Sequence, residues 1–181
     1  MSSLVVALPG ALLDSLRAEI RAASWFAALG EELTEGDRND ARAYAGVSHV
    51  VRIASWPAAE AFLKSTEASL DLWDREEVLR RKLLAEAEGR YPERALWMAL
   101  TELTTEAGDL VHGKAATAAM RAGNAAAASI HVAAGAASQA VYQLVVARLA
   151  GAEATPFESK FRLFAAGRWP LGVMGSSLLV F

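Results

Sequence analysis

Three carboxylates fall on one helical face of this sequence. Glu102, Glu106 and Asp109 are spaced i, i+4 and i+7, which at ~100° per residue gathers them within about 60° of one another. Carboxylate oxygens gathered in this way could hold Mg²⁺, and the ion could in turn hold phosphates. The same spacing also describes a solvated acidic strip, whose only cost is modest repulsion between like charges.

Two further groups of polar side chains invite chemistry. His131, Ser138 and Tyr142 share one face of an alanine-rich segment, with Gln139 and Gln143 somewhat round from it. A nucleophile and its base must touch, whereas i and i+7 lie ~10.5 Å apart along a helix. The seam therefore reads either as polar groups satisfied by neighbouring helices or another subunit, or as the lining of a ligand cavity. Nearer the C-terminus, Arg168 stands with Lys160 and Arg162 beside a segment broken by Gly172 and Gly175. A turn there could offer backbone N–H groups and Arg168 to an anionic ligand. Otherwise it lets the chain double back while Trp169 and Phe181 fill the core. His49, His112 and His131 show no i, i+4 spacing, and Glu106, Asp109 and His112 spread over ~120° of the wheel, so no histidine ligand set is read.

The run Glu106-Ala107-Gly108-Asp109-Leu110 resembles the Glu-x-x-Asp helix of the all-α nucleoside triphosphate pyrophosphatases, the MazG-like group. The resemblance implies Mg²⁺ and triphosphate binding, with Glu106 and Asp109 as ligands alongside a Glu-x-x-Glu pair on the preceding helix. The helix expected over 74–89 has no such pair. Glu32 and Glu35 have the spacing but lie in an expected loop, and Asp71 and Asp74 fall at a helix boundary. The likeness covers these five residues.

The whole chain narrows the classes. It has 181 residues, 54% of them hydrophobic but only 8% aromatic, so the apolar excess is aliphatic and largely alanine, which favours helix. A net charge of −3 with both signs interspersed lacks the basic face of a nucleic-acid binder. With no cysteine there is neither a disulfide framework nor a thiolate metal site. The apolar stretch 4–8 is too short for a signal peptide and has no basic residue before it, so a cytoplasmic protein is expected. Residues 122–147 carry no formal charge and could span a bilayer by length. They are mostly alanine, with Asn124, His131, Ser138, Gln139 and Gln143 among them, and so fit a central bundle helix better than a membrane span.

Local signals set out the elements. A helix is expected over 12–29, ended by Gly30. Thr34 followed by Asp37 caps a short helix up to Gly46, and the β-branched run 47–53 predicts a strand. Ser55 and Pro57 open a helix reaching about Leu70, and Asp74 with Glu77 reads as the capping box of the next, stopped by Gly89. Pro92 starts a long helix with Leu96, Leu100, Leu103, Ala107, Leu110 and Val111 as its apolar stripe, broken at Gly123. The alanine-rich helix follows, with Arg148 near its end. Thr155, Pro156 and Glu158 start a last helix carrying Phe157, Phe161 and Phe164, and a strand closes the chain, pairing with 47–53 and 4–7. The expectation is one mainly α domain over 1–181. It is an irregular multi-helix bundle with a central alanine-rich helix and a small two- or three-stranded sheet at one edge. For function, a self-associating, non-enzymatic binding or interaction domain is expected, without nucleic-acid or membrane partners. The alternative is a Mg²⁺-dependent nucleotide hydrolase using the acidic face.

Overall fold

A computed structural model describes residues 7–65 and 70–181. Its elements run α1 (Gly10–Ala22), α2 (Glu35–Ala45), β1 (His49–Arg52), α3 (Trp56–Leu63), α4 (Leu70–Glu88), α5 (Glu93–Ala122), α6 (Ala127–Leu149), α7 (Pro156–Ala165), β2 (Pro170–Met174) and β3 (Ser177–Val180). The chain is mainly helical with one small sheet at an edge, as the sequence leads one to expect.

The alanine-rich α6 is the axis. It packs on α5 along much of its length and also meets α1, α4 and α7. Ala133, Ala137 and Ala140 of α6 and Ala107, Val111 and Ala115 of α5 are wholly buried, small side chains that let the two helices approach closely. Larger gains come from Leu96, Leu100, Leu103, Leu144 and Leu149, all buried, each worth about 1.5–3 kcal/mol relative to exposure. By length and composition α6 could also cross a membrane, but 56% of its most apolar window is buried against the other helices, as a core helix requires.

The caps fall largely where the sequence puts them. Thr34 and Asp37 form a reciprocal capping box on α2, Ser55 accepts from the Ala58 N–H, and Gly46 and Gly123 close α2 and α5 in the left-handed conformation. Three boundaries differ. First, α1 stops at Ala22, not near 29. Ala23 turns extended so that Trp25 and Phe26 enter the core, and the Trp25 indole N–H donates to the Ile20 carbonyl at 2.8 Å. Phe26 holds φ +59°, strained for an aromatic residue, where its ring meets Phe164 and Trp169 edge-on. Second, α3 ends at Leu63. Third, α4 already runs from Leu70, so Asp74 is an interior residue and not a cap, and the Glu77 carboxylate turns to arginines of its own helix. Glu77 binds Arg80 and Arg81. Glu158 does sit over the Thr155 hydroxyl through its N–H, but its carboxylate reaches Arg148 and not back to the cap.

The sheet has the order β1-β3-β2. β3 runs parallel to β1, His49 opposite Ser177 and Arg52 opposite Val180, and antiparallel to β2 through a two-residue turn in which Gly175 has φ +59°. The third strand is thus Pro170–Met174, in a segment where Pro170, Gly172 and Gly175 exclude helix and where no strand was expected. It is possible because β2 is an edge strand, begins at the proline and bulges between Pro170 and Gly172. Of the expected strand at 4–7, Ala7 is not in a strand and the rest lies outside the described residues.

Gly167 fixes how the sheet meets the bundle. It has φ +87°, and a Cβ there would stand 2.7 Å from the Ala28 backbone nitrogen. The loop after α1 can therefore dock on the end of α7, with the Ser24 N–H donating to the Ala165 carbonyl. Trp56, Trp169 and Phe181 then stack into one aromatic cluster, and Phe181 and Trp169 exchange both backbone hydrogen bonds.

Candidate functional site

The acidic face lies against arginines of α1. Glu102 Oε1 accepts from Arg17 Nη2 at 2.6 Å, and Glu106 stands 3.5 Å from Arg17 Nε and 3.3 Å from Arg21 Nη2. Glu106 and Asp109 line a cleft of about 320 Å³ whose other walls include Arg17, Arg21 and Leu110. Two guanidiniums at the mouth oppose entry of a divalent cation, and among the described residues no three histidine or acidic side chains gather to hold a metal. Arg17 and Arg21, four apart on α1, are the residues sequence reading left out; their spacing matches that of Glu102 and Glu106. Millimolar Mg²⁺ is expected to leave the melting temperature unchanged. A rise that Glu106→Ala plus Asp109→Ala abolishes would support the metal-site reading.

The seam on α6 is divided by the packing. His131 is exposed, Ser138 and Tyr142 are half-buried, and Gln143 points fully inward. The Tyr142 ring carries the Arg80 guanidinium 5.9 Å from its centre. His131 is not alone, because α5 brings His112 beside it, with Nε2 of His112 3.3 Å from Nδ1 of His131. These residues are nineteen apart in sequence, so no spacing rule could join them.

Arg168 faces the protein interior. It is buried, donates from Nη1 to the carbonyls of Ala28 and Glu31 and from Nη2 to that of Glu32, and pairs with Asp37 at 3.1 Å. It ties the chain after α7 to the α1–α2 loop. Its Nε is buried without a partner among the described residues. Of its expected companions, Arg162 reaches Asp40 at 2.7 Å.

Lys160 belongs to a polar cluster that sequence reading did not assemble. Its Nζ donates to Glu76 Oε1 at 2.6 Å and to Gln143 Oε1 at 3.0 Å and lies over the Tyr44 ring, while the Tyr44 hydroxyl donates to Glu76 Oε1 at 3.0 Å. All four side chains are buried, and they come from α2, α4, α6 and α7. Burial pulls Lys160 below its ordinary pKa, against the opposing Glu76 charge, and pushes Tyr44 well above its own. The signal was available. Lys160 sits between Phe157, Phe161 and Phe164 on the apolar face of α7, and Glu76 lies on the Leu72–Leu83 stripe of α4.

Against known proteins, the chain matches no family model, and neither a curated protein nor a solved structure matches it significantly.

Proposed function

We propose that this chain is a cytoplasmic, non-enzymatic interaction domain that self-associates through one face of α5. The observation that carries the reading is the pair Trp97 and Met98, 40% and 62% exposed, over a shallow hollow of about 480 Å³ bounded by Arg94, Thr101 and Glu102. Tryptophan, methionine and arginine are the residues enriched in interface cores, and an exposed tryptophan loses much when left in water. The charges favour a second copy as the occupant. Arg94 and Glu102 lie symmetrically about Met98, four residues to either side. Two copies of α5 crossing antiparallel at Met98 would therefore set Arg94 of each opposite Glu102 of the other, the self-complementary arrangement a two-fold interface requires. Supporting the reading, Glu102 and Glu106 are paired with arginines, and the Lys160 cluster is closed off by the core.

Sedimentation at high micromolar concentration is expected to give a dimer. Met98→Glu should yield monomer, and Arg94→Glu should weaken the dimer. A monomeric wild type would sink the proposal.

A further inference from the structure

We infer that His112 and His131 form a binding site for a borderline divalent transition-metal ion, Zn²⁺ or Cu²⁺ in class, with one ion per chain. The site is separate from the α5 face at Met98 and does not depend on self-association. Two imidazole nitrogens bound to one tetrahedral ion at ~2.05 Å lie about 3.35 Å apart, and with a ring radius of ~1.15 Å the ring centres lie about 5.2 Å apart. In this chain Nε2 of His112 and Nδ1 of His131 are 3.3 Å apart and the ring centres 5.2 Å. The chain thus already holds both nitrogens at the separation that a shared ion imposes, and the ion would replace the single hydrogen bond they now share.

The backbone supports this spacing. The two histidines sit on α5 and α6, whose buried alanine faces lock the helices together, so the separation of the two backbones that carry the rings is set by the core and not by loop geometry. Both rings are exposed, and a Cβ built at Gly113, next to His112, or at Gly135, one turn from His131, meets nothing within 4 Å. Solvent or another small ligand can therefore fill the remaining coordination positions. The donor set decides the class of ion. Two neutral imidazoles without a gathered carboxylate suit Zn²⁺, Cu²⁺ and Ni²⁺ and do not suit Mg²⁺ or Ca²⁺, which require oxygen. No lone-helix motif encodes this site; it exists only because α5 and α6 pack in this register.

The test is calorimetric titration of the whole chain with Zn²⁺, with the histidine Cε1–H resonances followed in parallel. One equivalent is expected to bind and to shift the resonances of His112 and His131, leaving that of His49 in place. His112→Ala or His131→Ala should each weaken binding about tenfold or more, whereas His49→Ala should not change it, and excess Mg²⁺ should not compete. Because both histidines are exposed, these variants should fold, as their unchanged circular dichroism would show. The inference is overturned if Zn²⁺ binds no more tightly to the wild type than to either single variant, or if the resonances of His112 and His131 do not move. Neither result bears on whether the metal-free chain dimerises.

Discussion

Replacing Lys160 by methionine is expected to destabilise the fold by about 3–5 kcal/mol, the cost of leaving a buried charge without its partner. The carboxylate left behind is that of Glu76, only 6% exposed, with the Tyr44 hydroxyl as its remaining donor and Gln143 Oε1 deprived of the ammonium. The attraction within the pair is largely offset by the cost of taking both charges out of water. Lys160→Met combined with Glu76→Leu should therefore recover most of the loss. Urea denaturation reads this directly as a midpoint that falls in the single variant and returns in the double. A single variant within about 1 kcal/mol of the wild type would place the pair in the range of exposed ion pairs and contradict the burial described above. The cluster joins four helices in their buried interior, whereas other polar links between them, such as Arg162 to Asp40 and Arg148 to Glu158, lie nearer the surface, so its contribution is to register: the four groups are satisfied together in this arrangement of α2, α4, α6 and α7.

Arg168→Met should cost a comparable amount, again about 3–5 kcal/mol, because it removes the charge partner of the buried Asp37 carboxylate and a donor from each of the Ala28, Glu31 and Glu32 carbonyls at once. Arg168→Lys should recover less than half of that, since an ammonium cannot reproduce the planar fork that bonds Ala28, Glu31 and Glu32 together. Hydrogen exchange locates the effect. Amides in the segment 24–34 should lose protection in Arg168→Met while those of α5 and α6 change little. If Arg168 served an external anion instead, its replacement would leave both stability and this protection intact.

The helices were legible because their signals are local. The Thr34–Asp37 box, the Pro92 start and the leucine stripe of α5 all act within a few residues, and each formed as its chemistry dictates. What was not legible depends on partners distant in sequence. The helix expected over 12–29 would carry Trp25 off its Leu12–Leu16–Ile20 stripe, and Trp25 and Phe26 leave the helix to meet Phe161 and Phe164 in the core. β2 was obscured by Pro170, Gly172 and Gly175, which read as a turn, and it pairs as a strand only at the sheet's edge. The acidic face could be placed on its helix, but not the two arginines opposite it. Arg168 was visible as a charge near the C-terminus, and only packing turns it inward, whereas Lys160 could have been placed in the core from its position among Phe157, Phe161 and Phe164. The pairing of His112 with His131 needs the register of two helices, which no single-segment pattern contains.

The middle position of β3 in the sheet also sets an order of events during synthesis. β1 has no strand beside it until β3 has emerged from the ribosome, roughly 125 residues later, or ~6–25 s at typical elongation rates. Through that interval Val50 and Val51 belong to an open edge, the kind of backbone that pairs with other chains. The nascent protein thus passes through a window in which its helical half can condense while its sheet cannot, and its vulnerability to aggregation is concentrated there.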